Sequence, residues 1–171
     1  MIPEGVTVSW GGSATIDEIG LKDAVKNGNY EVIDRDATNT PEERWETMRR
    51  SLLCHTYLMS ANAVSEDGQL VNIDGNGNRV AAMIFGPYNV IVVVGVNKIV
   101  KTLEDAVSRA RNTAAPINTQ RFGDLKLPCT MHGYCGDCIA PDCSCAYFVT
   151  TRISRPAGKI KVIVVGENLG Y

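Results

Sequence analysis

Five of the six cysteines in this 171-residue chain, Cys129, Cys135, Cys138, Cys143 and Cys145, fall within seventeen residues. Thiolates at such short spacing hold soft metals, and the Cys135-Gly-Asp-Cys138 knuckle suits zinc or an iron–sulfur cluster. The run of bacterial ferredoxins, three short Cys spacings closed by Cys-Pro, is absent, so a ferredoxin-type cluster is not indicated. His132 lies three residues from both Cys129 and Cys135; it is either a substitute ligand or a solvated loop histidine. A disulfide framework is the weaker reading, because such frameworks replace a missing core in short secreted chains and this chain is long enough to have one. A thioredoxin-like use of the same Cys-x-x-Cys lacks the strand before it and the helix pattern after it.

Three further segments suit an anion. Gly11-Gly12-Ser13-Ala14-Thr15 runs from a strand into a helix, where glycines admit close backbone approach and a helix start presents free N–H groups. It matches neither a Walker loop nor Gly-x-Gly-x-x-Gly, so no nucleotide is specified, and a plain capping turn by Ser13 or Thr15 explains it equally well. Asp74-Gly-Asn-Gly-Asn78-Arg79 offers an amide and a guanidinium to a carboxylate or phosphate; the alternative is an Asp74–Arg79 pair across a surface turn. Asn97-Lys98 follows the most apolar strand. A lysine there binds anions, or catalyses if burial depresses its pKa, with Glu18 as its acid–base counterpart; a solvated lysine is the bland alternative.

The elements that must position these residues are legible. Val6–Trp10 alternates with period two, and Thr15-Ile-Asp-Glu18 has the form of a capping box opening a helix through about Lys26. Thr40-Pro41-Glu42-Glu43 starts a second helix, with Trp45, Met48 and Leu52 on its core side. Tyr57–Met59 and Leu70–Ile73 are strand candidates, and Arg79–Phe85 a short helix. Val90–Val96 is apolar on both parities, as in a parallel sheet covered on both faces. Thr102–Asp105 caps another helix, and Tyr147–Thr151 and Lys159–Val165 close the pattern as strands. Strands alternating with capped helices predict an α/β fold with a mainly parallel sheet flanked by helices. Ligands sit at the carboxyl ends of such strands, so Gly11, Gly12, Ser13, Thr15, Asp74, Asn78, Arg79, Asn97 and Lys98 are expected to line one anion-accepting pocket.

Composition narrows the class. Seventeen Lys and Arg against nineteen Asp and Glu give a net charge of −2, which argues against a nucleic-acid partner, since phosphate binding needs a basic face. The longest apolar run is seven residues, Val90–Val96, far below the ~20 of a membrane span. Met1-Ile-Pro-Glu-Gly5 lacks the basic and apolar regions of a signal peptide. A cytoplasmic location is expected.

Taken in order, Ile2-Pro-Glu-Gly5, Ser9-Trp-Gly-Gly-Ser13 to Glu18-Ile-Gly20, Asp74 to Ala82, Gly95-Val-Asn-Lys-Ile-Val100, Ala114-Ala-Pro-Ile-Asn118, Pro128-Cys129 and Val165-Gly-Glu-Asn-Leu-Gly170 resemble the LUD-domain, or lactate-utilisation, family over nearly the whole chain. The resemblance implies a single LUD-like domain over 1–171 with a cysteine-rich loop at 129–145. It implies a fold similar to the superfamily of ribose-phosphate isomerase, glucosamine-phosphate deaminase and coenzyme A transferase, in which the turn matching Gly11–Thr15 lies at the substrate pocket. It also implies a part in oxidising L-lactate to pyruvate, as an accessory or redox subunit beside iron–sulfur, flavin-independent partner subunits; homo-oligomerisation stays open. Members usually carry a further helical segment ahead of the Pro-Glu-Gly strand, and this sequence opens at that strand. In the family's cysteine pattern Cys129, Cys135, Cys138 and Cys145 match, while Cys143 stands where many members have arginine. The expected metal set is therefore Cys129, Cys135, Cys138 and Cys145, holding zinc or an iron–sulfur cluster. Two other functions compete with this one: an independent isomerase- or transferase-type enzyme using Glu18 and Lys98, and a zinc-stapled interaction module.

Overall fold

The alternation that begins at Val6 forms β1 (Thr7–Trp10) in a computed structural model that describes residues 1–123 and 125–171. The Ser13 hydroxyl then accepts the Ile16 N–H at 3.4 Å and caps α1 (Ala14–Glu18). The sequence predicted one helix from a Thr15–Glu18 capping box through Lys26. The chain instead breaks at Gly20, which takes a φ of 64°, and restarts as α2 (Leu21–Lys26). Glycine enters that left-handed region without the Cβ clash other residues meet. The Glu18 carboxylate, expected in the cap, accepts the distant Gly170 N–H at 2.6 Å. After β2 (Glu31–Ile33), α3 (Pro41–Ser51) opens as predicted, with the Thr40 hydroxyl accepting the Glu43 N–H at 3.1 Å. Then come β3 (Thr56–Met59), β4 (Ala63–Ser65), β5 (Leu70–Asp74), α4 (Asn78–Ile84), β6 (Asn89–Gly95), β7 (Ile99–Val100) and α5 (Leu103–Arg109). The expected Thr102–Asp105 capping box forms at α5. The chain finishes with α6 (Ala115–Thr119), α7 (Pro128–His132), β8 (Tyr147–Thr151) and β9 (Ile160–Val165).

Five strands form a wholly parallel sheet in the order β2-β1-β3-β6-β9. Every residue of β6 is buried, and the strand's two-residue period divides its side chains between two cores. Val90, Val92 and Val94 pack with Tyr57, Met59 and, from α4, Ala82 and Met83. Ile91 and Val93 face the other way, onto Val8, Trp10 and Leu58, with Ile16 of α1 and Val25 of α2. The fold is the expected α/β arrangement, a mainly parallel sheet with helices on both faces.

A second sheet, β7-β4-β5-β8, extends it. Here β5 runs antiparallel to both β4 and β8. Its Ala63, Val71 and Ile73 pack on Ala106 and Ala110 of the α5 region. β4 spans three residues and β7 two, too few for periodicity to announce them. Among the described residues no helix is long and apolar enough to cross a membrane.

Two features of the parallel sheet place the site. All five strands point their carboxyl ends in one direction. The chain also leaves β1 for β2 on one side and returns to β3 on the other, which opens a crevice where the strand order reverses.

Candidate functional site

A cavity of about 720 Å³ lies at those carboxyl ends. Gly12 and Ser13 reach it from β1, Arg35 from β2, Ser60 and Asn62 from β3, Asp74, Asn78 and Arg79 from β5 and the start of α4, and Lys98 from β6. Of the residues expected from the sequence, Gly12, Ser13, Asp74, Asn78, Arg79 and Lys98 line it, and Gly11, Thr15, Asn97 and Glu18 do not. Three of these stand directly behind it. Gly11 packs against the stem of Arg79, Thr15 holds Lys98, and the Asn97 side chain bonds the Leu169 N–H at 3.1 Å and the Gly170 carbonyl at 3.0 Å.

Lys98 is 3% exposed, and its Nζ donates to the Thr15 hydroxyl at 2.7 Å and the Ser60 hydroxyl at 3.1 Å. Neither acceptor carries a charge, so nothing in direct contact offsets the desolvation of the ammonium. Burial first, then the positive charges of Arg109 and Arg79, lower its pKa from 10.5 to about 8, against a weaker opposing pull from Glu18. The segment beyond β9 closes over this amine. Gly170 takes a φ of 57°, and a Cβ there would come within 2.6 Å of the Thr15 hydroxyl and 3.2 Å of Lys98 Nζ.

Arg79 is fixed by its own acceptors: the Ile73 carbonyl at 2.7 Å, Asn72 Oδ1 at 2.7 Å, the Ser60 carbonyl at 3.1 Å and Asn62 Oδ1 at 3.3 Å. The pairing with Asp74 that the sequence offered as an alternative also forms, at 3.6 Å, but with both side chains largely buried. Asp74 further accepts the N–H groups of Gly77 and Val80, so the glycine-rich loop is folded around its own carboxylate.

Sequence reasoning missed Arg35, Arg44 and Arg121, which also line the cavity. Arg44 donates to the Arg35 carbonyl at 2.9 Å, and Asp36 joins Lys22, Arg35 and Arg44 at 2.9, 3.4 and 3.1 Å. Burial alone would raise the Asp36 carboxyl, but Lys22, Arg35 and the Trp10 N–H together hold it well below the usual carboxylate range. Among the described residues, five cationic side chains thus line the cavity, Arg35, Arg44, Arg79, Lys98 and Arg121, against two carboxylates, Asp74 and Asp142. Such a lining gives the chamber a positive potential.

One outer wall comes from the cysteine-rich segment, through Pro141, Asp142, Cys143, Ser144 and Ala146. Cys129 and His132 lie on α7, and the His132 ring stacks with Tyr134 at a centroid distance of 5.8 Å. Cys135 Sγ accepts the Asp137 N–H at 3.4 Å and lies 3.9 Å from an Arg111 nitrogen. Cys138 Sγ sits 3.6 Å from Cys143 Sγ. Among the described residues no three His, Cys, Asp or Glu side chains are gathered to hold an ion. The close thiol contact joins Cys138, one of the four expected ligands, to Cys143, the cysteine the family pattern ranks last.

Residues 1–165 match a family model described as the LUD domain. No curated protein matches the chain. Among solved structures, a DUF162 family protein from Deinococcus radiodurans is similar over 95% of this chain and 88% of its own, at 14% identity and a TM-score of 0.44. Ribose 5-phosphate isomerase A from Neisseria gonorrhoeae is similar over 63% of this chain and 57% of its own, at 15% identity and a TM-score of 0.40. For eIF2B beta from Chaetomium thermophilum the shares are 64% and 38%, at 19% identity and a TM-score of 0.37.

Proposed function

Because the chain belongs to the LUD-domain family, with the general role in lactate utilisation that membership carries, we propose that it is an accessory or redox subunit in the oxidation of L-lactate to pyruvate, working beside iron–sulfur subunits and holding a small anionic metabolite in its cavity. The observation that carries this reading is Lys98: a buried amine held by two hydroxyls at the wall of a chamber lined by arginines. A carboxylate placed there supplies the counter-charge the ammonium lacks, and binding raises the lysine's affinity for its proton in return. The isomerase- or transferase-type alternative has less to rest on, since Glu18 is engaged by the Gly170 N–H and does not line the cavity.

Calorimetric titration of the chain with L-lactate, pyruvate and inorganic phosphate tests the proposal. Affinity is expected below pH 8, falling as pH rises through the Lys98 pKa of about 8, and lost in Lys98→Met. Absence of binding by all three anions, or binding indifferent to both pH and Lys98→Met, refutes it.

A further inference from the structure

Between α7 and β8, positions 133–146 include no buried residue, and the positions with partial cover are Cys135, Cys138, Cys143, Ser144 and Cys145. The segment has no apolar core of its own, and thiols are most of what it turns inward. A local device brings two of them together. The Cys143 N–H donates to the Ala140 carbonyl at 2.9 Å, closing a turn with Pro141 in its second position, where proline's fixed φ favours reversal. That reversal sets Cys143 Sγ 3.6 Å from Cys138 Sγ, and the Cys145 N–H, 3.4 Å from Cys143 Sγ, steadies the sulfur. The pair is also tied to the cavity. Cys143 and Ser144 line it, the Ser144 hydroxyl lies 3.0 Å from that of Thr119, and a Cβ on Gly75 would meet the Ser144 carbonyl at 3.2 Å.

We propose that Cys138 and Cys143 are a redox pair that undergoes thiol–disulfide exchange with an anionic low-molecular-weight disulfide drawn to the cavity. This pair is not the Cys135-x-x-Cys138 knuckle, whose first sulfur faces Arg111 and the Asp137 N–H. The Cys143 thiolate, on the cavity wall, attacks one sulfur of the small disulfide. Its S–S bond breaks, and the first small thiolate leaves and takes up a proton. The Cys138 thiolate then attacks the Cys143 sulfur of the mixed disulfide and expels the second small thiolate. Two electrons pass from the cysteines to the small disulfide, and the two cysteine protons end on the two thiols released. Closing the sulfurs from 3.6 Å to a bond of about 2.05 Å moves Cys143, and with it Ser144 and its contact on Gly75, so the cavity wall shifts with the redox state. The attraction of an anionic partner rests on the proposed anion pocket; the exchange itself is read separately.

The reduced chain, purified without oxygen, is incubated with glutathione disulfide, alkylated, proteolysed and analysed by mass spectrometry. A Cys138–Cys143 cross-linked peptide is expected, removed by dithiothreitol. In Cys138→Ser a glutathione adduct should persist on Cys143, and in Cys143→Ser the cross-link should be lost. The neutral bis(2-hydroxyethyl) disulfide, which needs no anion pocket, should give the same Cys138–Cys143 product, so a failed anion titration and a failed exchange are told apart. The proposal is overturned if both thiols stay alkylatable, if the cross-link joins other cysteines, or if stoichiometric bound metal shields these two thiols.

Discussion

Replacing Lys98 with methionine should stabilise the protein at neutral pH and destabilise it at high pH, relative to the parent chain. Lys98 titrates at about 8 in the fold and near its ordinary 10.5 when unfolded. Below about 8 both states hold the proton, and the penalty for burying an ammonium is present in full. Between about 8 and 10.5 the folded chain releases its proton while the unfolded chain keeps it, so stability rises with pH through that window. The gap corresponds to roughly 3 kcal/mol. Methionine removes this penalty but also removes the hydrogen bonds to Thr15 and Ser60, each contributing about 1 kcal/mol. Lys98→Met should therefore be about 1–2 kcal/mol more stable than the parent at pH 7 and less stable by a similar amount near pH 10.5. Urea unfolding of both proteins at half-unit steps from pH 7 to 10.5 measures the difference, in which every group common to the two cancels. A difference that stays flat across the window would show that Lys98 is not a desolvated amine, and the site argument would fail with it.

Two further substitutions address the scaffold of the site. Gly170→Ala places a side chain at a φ of 57° and 2.6 Å from the Thr15 hydroxyl; it should destabilise by about 1–2 kcal/mol from conformation alone and return the Lys98 pKa toward its ordinary value, read by the same pH series. Arg79→Ala leaves Asp74 buried without its cation and removes one donor from each of four acceptors, of which Asn62 Oδ1 keeps the Ile73 N–H; a loss of about 3–5 kcal/mol in denaturant unfolding is expected, and a loss below about 1 kcal/mol would mean the guanidinium is held for the ligand rather than for the fold.

The central sheet was legible because β6 states its environment twice. Valines and isoleucine occupy both parities of one short run, and only a strand covered on both faces needs that. The strand-end rule then placed Ser13, Arg79 and Lys98 at one cavity. Arg35 and Arg44 escaped the same reasoning for a physical reason. Arg35 sits between two aspartates after a three-residue strand, and Arg44 lies on a helix rich in charge, so both look solvated. Knowing that β2 lies beside β1 would have directed attention to the residues after it, and strand order is a property of the whole chain. The Thr15–Glu18 cap failed similarly: the local pattern was sound, but Gly170 supplied Glu18 with a donor 152 positions away. At the cysteine loop, spacing drew attention to Cys135 and Cys138, whereas the turn at Pro141 decides which sulfurs meet.

The closure of the cavity by residues 169–171 has a consequence for how the protein comes into being. The Thr15 hydroxyl lies 3.3 Å from the Leu169 carbonyl, across 154 positions of sequence. Thr15, Ser60 and Lys98 all leave the ribosome well before that segment, and before β9 covers the open side of β6. In the nascent chain the lysine is still in water and is an ordinary base. Its lowered pKa depends on burial, so it arises when the last strand docks and the Gly170 turn settles over the amine. A partly made or frayed chain can display every residue of the site and still lack its chemistry.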